Sequence, residues 1–361
     1  MDITKTLGFV TMFLLFIFVY FGAHLYVSLR ISNLFLIKRT IVFYVVVFIL
    51  ALSFPLMSII ERFIDGKIST MFYTISSVWL GVIFYLLITL IIYEFVKLFV
   101  KIDSKIAGIA ILVIVVMITI YAIINAAIIS TKEIEVLMPN INNDLKIVHL
   151  SDIHIGTINN DEYLQKVVDK TNAQNPDIVL ITGDLVDGGG LITSDSFLIL
   201  NNIKAKTFFS TGNHEQYDGL DNIILALNKT KVTVLRNEVV TYKGIQIIGI
   251  DDPGHKYFQE NNPLESIKIN KSKPSILMHH QPNNFEIAEK KGINLQLSGH
   301  THDGQLFPFN ILVRLEYKYV YGLHKYNNMY IYVSSGTGTW GPPFRLGSKN
   351  EVVLINLIKK K

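Results

Sequence analysis

The sequence predicts a two-part fold: an all-α transmembrane region of four helices, then an α/β layered domain with a mixed sheet or two packed sheets. Half of the 361 residues are hydrophobic and the mean hydropathy is +0.39, which is too apolar for one soluble domain of this length. Residues 1–131 hold most of this excess, whereas charged and turn-forming residues recur from Lys132 onward. We therefore expect a transmembrane region over residues 1–131 and a globular domain over residues 132–361.

Four stretches of the first part are long enough and free enough of charge to cross a bilayer, which needs about 20 apolar residues in a helix. They are residues 7–29, 40–60, 70–93 and 106–130. In lipid, each span has to satisfy its own backbone hydrogen bonds, so we expect helices. The first stretch differs from a signal peptide because no small-residue cleavage site follows it before Arg30.

The short loops predict the orientation of the transmembrane region. An even number of spans puts the N-terminus and the globular domain on the same side of the membrane. The side opposite the globular domain carries six basic residues in its loops. The side of the globular domain carries four close to the spans. The six are Arg30, Lys38, Arg39, Lys97, Lys101 and Lys105, and the four are Lys5, Arg62, Lys67 and Lys132. Because an excess of lysine and arginine marks the cytoplasmic face, we expect an extracytoplasmic globular domain.

The composition excludes several classes of site. The chain has no cysteine, which rules out disulfides, thiolate metal ligands and a cysteine nucleophile. The net charge of +4 is small, and no stripe of arginine and lysine with interleaved aromatic residues occurs, so we expect no nucleic-acid partner. The four spans imply a lipid bilayer as a partner.

The globular part alternates short β-rich runs with turn clusters and helical patterns. An amphipathic helix is predicted over residues 161–174, where Asp161 would cap its start. Strand patterns cover residues 146–150, 177–182, 207–210, 245–250, 275–278, 293–297, 329–333 and 352–358. Strands that alternate with helices and then give way to a strand-rich C-terminal part predict the layered α/β arrangement.

A polar cluster directly follows several of these apolar runs. The clusters are SDIH, GDLVD, GNHE, HHQP and GHTH, which begin at residues 151, 183, 212, 279 and 299. In an open α/β sheet this position is the carboxyl edge, where loops from separate strands converge on one site. Converging loops rich in Asp, Asn and His predict a metal site.

In this order, the patterns Asp-x-His, Gly-Asp-x-x-Asp, Gly-Asn-His-Glu, His-x-Pro and Gly-His-x-His resemble those of the calcineurin-like metallophosphoesterase superfamily over residues 145–358. The stretches GHTHDGQLFPF and SSGTGTWGPPFR resemble its membrane-anchored prokaryotic branch. The resemblance implies a layered α-β-β-α sandwich with a binuclear metal centre. It also implies hydrolysis of phosphomonoester, phosphodiester or pyrophosphate bonds by a hydroxide that two metal ions activate.

Carried over motif by motif, the resemblance implies a full set of metal ligands. One ion would be held by Asp152, His154 and His302, the other by Asn213, His300 and one of His279 and His280, with Asp184 as the bridge. Carboxylate, imidazole and amide ligands suit Mn, Fe or Zn. The bridge is needed because two cations about 3.5–4 Å apart repel each other unless a shared anion lies between them.

His280 is favoured over His279 as the ligand. The His-x-Pro pattern fits His280-Gln281-Pro282 and does not fit His279. A strand also sends neighbouring side chains to opposite faces, so one of the two imidazoles is expected to be structural.

Three further residues need an interpretation. His214 would act without binding metal, by donating a proton to the leaving-group oxygen or stabilising its charge, and a structural histidine is the alternative. Arg345, in PPFRLG, follows a Gly-rich loop and would contact the substrate phosphate, with a surface arginine as the alternative. Asp303 stands where the branch has glycine, and we expect it to tune substrate or metal preference.

The sequence does not identify the natural substrate. Four spans exceed what an anchor needs, so a lipid-linked phosphoester is one candidate, with Trp340, Phe344 and Phe307 as an apolar wall. A non-catalytic membrane sensory or binding protein is the alternative function, but it has no physical need for a complete ligand set. A transporter is the third, and against it no Asp, Glu, Lys or Arg lies within the four apolar cores.

Overall fold

The computed structural model describes residues 3–64, 66–188, 192–193, 195–253 and 262–360. The chain forms two compact units, Met1–Ala122 and Ile123–Lys361. The first unit consists of long apolar helices, and the second contains the β-strands of the described residues.

Four long helices confirm the predicted helical N-terminal region. They are α1 (Ile3–Leu34), α2 (Ile41–Ile60), α3 (Lys67–Val96) and α4 (Ser104–Ala127). Each contains a stretch that is long and apolar enough to cross a membrane. Within the first unit, Arg30 near the end of α1 forms an ion pair with Glu94 near the end of α3. Charged side chains are tolerated at such helix ends because they can reach the membrane interface.

The second unit is built from short strands and helices. Its strands are β1 (Ile129–Met138), β2 (Leu145–Leu150), β3 (Ile178–Thr182), β4 (Lys206–Ser210), β5 (Thr233–Val234), β6 (Glu238–Tyr242), β7 (Ile245–Gly249), β8 (Ser275–Met278), β9 (Leu295–Ser298), β10 (Gly322–Tyr326), β11 (Met329–Val333) and β12 (Asn350–Lys359). Its further helices are α5 (Asp161–Ala173), α6 (Asn213–Tyr217), α7 (Leu220–Leu227), α8 (Pro263–Ser266), α9 (Phe285–Lys291) and α10 (Phe309–Glu316).

These strands form two six-stranded mixed sheets. The order is β1-β12-β2-β3-β4-β5 in the first sheet and β10-β11-β9-β8-β7-β6 in the second. Strands β2, β3 and β4 are parallel neighbours, and so are β7, β8 and β9. The carboxyl ends of each parallel set therefore meet at one edge of its sheet.

Three apolar clusters define four layers. The central cluster takes side chains from both sheets, for example Leu180 on β3 and Ile276 on β8. Val179 and Ile181, which alternate with Leu180 along β3, belong instead to a cluster with α5 and α7. A third cluster packs the second sheet against α8 and α9. The arrangement is the α-β-β-α sandwich that the sequence predicts.

Strand β1 has no counterpart among the predicted strands. It begins at Ile129, inside the stretch 106–130 that the sequence assigns to the fourth span, because α4 ends at Ala127. β1 pairs in parallel with β12, and its Val136 and Met138 are wholly buried in the central cluster. A local apolar pattern does not separate the end of the helix from the start of this strand.

The five polar clusters lie where the sequence predicts them. Three of them follow β2, β3 and β4 in the first sheet, and two follow β8 and β9 in the second. All five strands belong to the parallel sets, so the topology directs these loops to a common region.

Candidate metal centre

The five loops bring carboxylate and imidazole side chains together into three overlapping groups. Within each group, the candidate ligand atoms lie within 4.8 Å of one another. The groups are Asp152, His154 and His302; Asp184, His280 and His300; and His154, Asp184 and His214. The first two correspond to the two ion sites that the motifs imply, and their role as ligands stays a prediction.

The first group is closely packed and buried. His154 Nε2 lies 3.0 Å from His302 Nε2, which in turn lies 3.3 Å from Asp152 Oδ1. Nitrogen lone pairs that converge in this way repel each other unless a proton or a cation lies between them. The three side chains are therefore arranged to surround a positive charge.

The second group has the same character. His280 Nε2 lies 3.0 Å from Asp184 Oδ2 and 3.3 Å from His300 Nδ1. His280 Nδ1 donates to the carbonyl of Thr182 at 2.8 Å, which fixes the ring with Nε2 toward the cluster. Burial would lower the pKa of His280, but Asp184 raises it well above its usual value. Positive charge is thus favoured at this position as well.

Asp184 lies between the two groups. Its Oδ1 accepts a hydrogen bond from the backbone N–H of His214 at 2.9 Å. Its Oδ2 lies 3.0 Å from His280 Nε2 and 3.9 Å from His154 Nε2. One oxygen is therefore held by the backbone, while the other faces an imidazole of each group.

Asn213, the first residue of α6, gives an independent indication of a cation. Its side-chain oxygen is buried and has no hydrogen-bond partner among the described residues. Leaving such an acceptor unpaired costs about 1–3 kcal/mol, which coordination to a metal ion would offset. Together with the carboxylates and imidazoles, this amide oxygen makes a donor set that fits divalent Mn, Fe or Zn.

Burial keeps three of the clustered imidazoles in the neutral form that binds metal. It lowers the pKa of His154 to about 3 and the pKa of both His300 and His302 to about 4. Burial alone would raise the pKa of Asp152, but His302 and His280 lower it below its usual value. Neutral imidazoles and an ionised carboxylate are the protonation states that metal ligands require.

The two neighbouring histidines of the HHQP cluster are separated as the strand pattern predicts. His280 belongs to the second group, whereas His279 belongs to none of the three. Both are buried, and burial lowers the pKa of His279 to about 3. The geometry thus favours His280 as the ligand and leaves His279 as a neutral core residue.

His214 lies at the edge of the cluster with its side chain partly exposed. Its Nδ1 donates to the carbonyl of Asp187 at 2.8 Å, and its Nε2 lies 4.0 Å from Asp184 Oδ2. Burial would lower the pKa of His214, but Asp184 and Asp187 raise it above its usual value. This imidazole is therefore held in a position and a charge state that suit proton donation.

Glu215 has a structural role that the sequence does not reveal. This wholly buried carboxylate accepts hydrogen bonds from the backbone N–H groups of Asp184 at 3.0 Å, Leu185 at 2.7 Å and Gly212 at 2.6 Å. It thereby ties the loop after β3 to the loop after β4. The sequence does hold one signal for this role. Glu215 stands three residues after Gly212, the position from which a glutamate accepts a hydrogen bond from the backbone N–H at the start of a helix.

Asp187, the last residue of GDLVD, lies behind the first group. Its Oδ1 lies 3.4 Å from His154 Nδ1, on the side of the ring away from His302. The two atoms do not form a hydrogen bond, because His154 Nδ1 has no hydrogen-bond partner among the described residues. Burial raises the pKa of Asp187 to about 7.

Arg345 corrects a prediction from the sequence. It neither contacts the cleft nor lies on the surface, because its side chain is fully buried. The guanidinium donates to the carbonyls of His302 at 2.8 Å and Gly338 at 2.6 Å, and to Asn350 Oδ1 at 2.7 Å and Ser348 Oγ at 3.0 Å. Its Nη2 also lies 3.2 Å from His302 Nδ1. These contacts occupy its donors inside the protein, so Arg345 lies behind His302 and has none to offer a substrate phosphate.

Asp303 lies beside the cluster without joining it. Its backbone is left-handed, with φ 48° and ψ 35°, and it belongs to none of the three groups. Its Oδ1 lies 3.6 Å from the guanidinium of Arg314, which is exposed. The residue therefore replaces none of the predicted ligands.

A cavity of about 320 Å³ opens beside the cluster. Its polar part includes Asp184, Asn213, His214, His300 and His302, and its apolar part includes Tyr217, Phe309, Val313, Tyr317 and Trp340. Of the three aromatic residues predicted to form a wall, Trp340 lines the cavity, whereas Phe344 is fully buried and Phe307 is exposed outside the lining. The sequence did not indicate that helix α10 supplies part of this wall, through Phe309 and Val313.

Comparisons with known proteins agree with the fold and the cluster. The family model for the calcineurin-like phosphoesterases matches residues 145–304. An uncharacterized metallophosphoesterase of Campylobacter jejuni is 38% identical over 251 residues, which cover 67% of each chain. One from Helicobacter pylori is 39% identical over 236 residues, covering 63% of this chain and 64% of that protein. A Danio rerio transmembrane protein with a metallophosphoesterase domain is 34% identical over 272 residues, 68% of this chain and 61% of that protein.

The chain therefore belongs to the calcineurin-like metallophosphoesterase family. The matched part spans about 64% of the length of the Helicobacter pylori relative. A solved structure described as GAP50, the anchor in the inner membrane complex of Plasmodium, aligns with a TM-score of 0.36 and 12% identity. That alignment covers 59% of this chain and 80% of the other.

Proposed function

We propose that this protein hydrolyses phosphoester or pyrophosphate bonds at a centre of two divalent metal ions. The observation that carries the proposal is the position of Asp184, whose Oδ2 faces His280 on one side and His154 on the other. The unpaired oxygen of Asn213 supports a cation on the side of the second group. When bound, such ions supply Lewis acidity that acidifies water and polarises a phosphoryl oxygen.

The protein supplies the proton for the leaving group. With Nδ1 of His214 donating to the carbonyl of Asp187, only Nε2 can carry a proton into the cleft. Burial would lower the pKa of His214, but Asp184 and Asp187 raise it above its usual value, so the protonated form persists to a higher pH than in an isolated histidine. Proton donation from Nε2 to the departing oxygen is the role that this geometry supports best.

The buried carboxylate of Glu215 holds the ligand loops in place for this reaction. It ties together the loops that carry Asp184 and Asn213. Ligands that are positioned before the substrate arrives avoid the cost of reorganisation during the reaction.

We further propose a lipid-linked phosphoester as the substrate. The cavity combines a polar floor at the cluster with an apolar wall from Phe309, Val313 and Trp340. An apolar wall next to a phosphate site suits a substrate whose phosphate carries an acyl or prenyl group. The four apolar helices would keep the site near such lipids.

The test is turnover by the purified full-length protein in detergent with Mn²⁺. We expect release of nitrophenol from bis-nitrophenyl or mono-nitrophenyl phosphate, and loss of this activity with EDTA. Asp184→Asn should remove most of the activity, whereas the control Asp195→Asn, at a side chain that is 71% exposed, should keep the wild-type rate. No turnover of either ester with Mn²⁺, Fe²⁺ or Zn²⁺ would favour the alternative of a non-catalytic binding protein.

We also propose that the phosphoesterase unit faces the extracytoplasmic side. Support comes from the six basic residues in the loops after the first and third spans, against four on the other side. Alkaline phosphatase fused to the C-terminus should be active in cells, and green fluorescent protein at the same place should be dark. The reverse pattern would contradict this orientation.

A further inference from the structure

Helix α10 exposes an unusual amount of apolar surface. Ile311, Leu312 and Leu315 are 54%, 57% and 81% exposed, and α10 contains no buried residue at all. Helices of a soluble domain normally bury their apolar stripe against the core. This helix therefore presents an apolar face that no other described part of the phosphoesterase unit covers.

The exposed face is continuous with the cleft. Phe309, Val313 and Glu316 follow each other at helical spacing on one side of α10, and all three line the cavity. Leu312 adjoins that side of the helix, and Leu315 and Ile311 follow further round it. Trp340, which is 45% exposed, also lines the cavity. We call Ile311, Leu312, Leu315 and Trp340 the α10 patch.

The chemistry around the α10 patch matches a lipid surface. Arg314 lies between the apolar positions, 3.6 Å from Asp303, and its side chain is 62% exposed, so it can also meet an anionic headgroup. A short amphipathic helix with aliphatic residues on one face and basic residues beside it is typical of elements that lie in the bilayer interface. Tryptophan is enriched at the same depth.

The chain itself brings this patch within reach of a bilayer. Helix α4 is long and apolar enough to span a membrane and ends at Ala127, and β1 begins at Ile129. A single residue thus connects the last candidate span to the phosphoesterase unit. A soluble partner protein would have to bind from solution. A bilayer, in contrast, would be linked to the phosphoesterase unit through the candidate span α4.

We propose that the α10 patch contacts the bilayer at the level of the headgroups, so that the mouth of the cleft opens toward lipid. Contact of this kind does not depend on catalysis. Its consequence for turnover rests on the proposed function: a lipid-linked phosphoester would reach the cluster along α10 without leaving the membrane.

Fluorescence quenching tests the contact directly. The chain has two tryptophans, so Trp79→Phe leaves Trp340 as the single reporter. The full-length variant is reconstituted in phosphatidylcholine and phosphatidylglycerol vesicles, with phosphatidylcholine brominated near the headgroup end of its acyl chains. We expect the bromine to quench Trp340 and Leu312→Glu with Leu315→Glu to reduce that quenching. The matched control Trp340→Phe reports Trp79 within α3 and should be quenched with or without the two glutamates.

Quenching of Trp79 without quenching of Trp340 would overturn the proposal, and so would quenching of Trp340 that the two glutamates leave unchanged. If Trp79→Phe fails to fold, the difference in quenching between the wild-type chain and Trp340→Phe gives the same measurement.

A second measurement tests the consequence for turnover. Phosphatidyl-nitrophenol in vesicles and bis-nitrophenyl phosphate in solution release the same product, so one assay compares lipid-linked with soluble substrate. We expect Leu315→Glu to lower turnover of the lipid ester by about tenfold or more, the effect of losing one buried leucine, and to leave the soluble ester unchanged.

The control for the second measurement is Leu225→Glu on α7. Leu225 is also exposed, at 64%, and is not part of the cavity lining, so both esters should be hydrolysed at the wild-type rate. An equal loss on both esters in Leu315→Glu would contradict the role of the patch in substrate delivery. Inactivity of the wild-type chain on both esters would instead refute the proposed function, and the quenching result would still decide the contact.

Discussion

Replacing Arg345 with lysine should destabilise the phosphoesterase unit and weaken its hold on metal. The guanidinium makes five contacts, two with backbone carbonyls, two with side-chain oxygens and one with His302 Nδ1. Four of these contacts are hydrogen bonds to oxygen acceptors, and a lysine ammonium has three donors, so at least one acceptor loses its partner. Because a buried unpaired acceptor costs about 1–3 kcal/mol, we expect the free energy of unfolding to fall by at least about 1–3 kcal/mol.

Thermal unfolding of the full chain in detergent measures this loss. For a unit of this size, 1 kcal/mol corresponds to about 2–4 °C, so the midpoint should fall by at least about 2 °C. Arg314→Lys is the matched control. The Arg314 side chain is 62% exposed and lies 3.6 Å from Asp303, and exposed ion pairs contribute about 0–1 kcal/mol.

The same variant separates a positioning role from a direct contact with substrate. If Arg345 supports His302, the variant should also retain less Mn²⁺ after dialysis, measured by mass spectrometry of the metal content. If it bound phosphate, KM would rise while the melting midpoint and the metal content stayed at wild-type values. That second pattern would refute the assignment made from the buried hydrogen bonds.

Three further predictions concern the cluster. Glu215→Gln should lower the thermal midpoint, because the amide NH₂ would face the backbone N–H of Asp184 and Gly212, and an unchanged midpoint would contradict the clamp. Asn213→Ala should weaken Mn²⁺ binding in calorimetry with little loss of stability, since its oxygen is already unpaired in the protein, and an unchanged affinity would exclude it as a ligand. EDTA should lower the midpoint of the wild-type chain and Mn²⁺ should restore it, because an ion that binds only the folded site stabilises it.

The site loops were predictable because their signals are local. Each polar cluster follows an apolar run, and a run of this kind specifies a buried strand whose end has to reach the surface. The family's His-x-Pro pattern favours His280 as the ligand, whereas alternation along the chain predicts only that the two rings go to different places. Candidate site residues at strand ends can therefore be predicted from the sequence even when the order of the strands is unknown.

The order of the strands and the side chains that support the candidate ligands depend on contacts between residues that are far apart in the sequence. β12 inserts between β1 and β2, although nearly the whole domain separates it from both. Arg345 meets His302 across 43 positions, and Glu215 meets Asp184 across 31. An arginine in a Gly-rich loop has the same local pattern whether it faces solvent or lies buried, so its environment could not be inferred.

The backbone of the ligand loops explains why these distant supports matter. Asp152, His154, Asp184, His300 and His302 all have positive φ, between 51° and 68°. This conformation costs an ordinary residue about 1–3 kcal/mol and persists only where the surroundings impose it. The candidate metal ligands are thus held in a conformation that their own local preference opposes.

Asp303 gains a different interpretation from this pattern. Its left-handed backbone, with φ 48°, continues that of His300 and His302, so the glycine that the branch has there would relieve strain at one position of a loop already strained at others. Glycine is indispensable elsewhere, since a Cβ on Gly299 would collide with Asp152. Since the local preference of these residues opposes the loop conformation, the hydrogen bond from the buried guanidinium of Arg345 to the carbonyl of His302 helps to hold the loop in place.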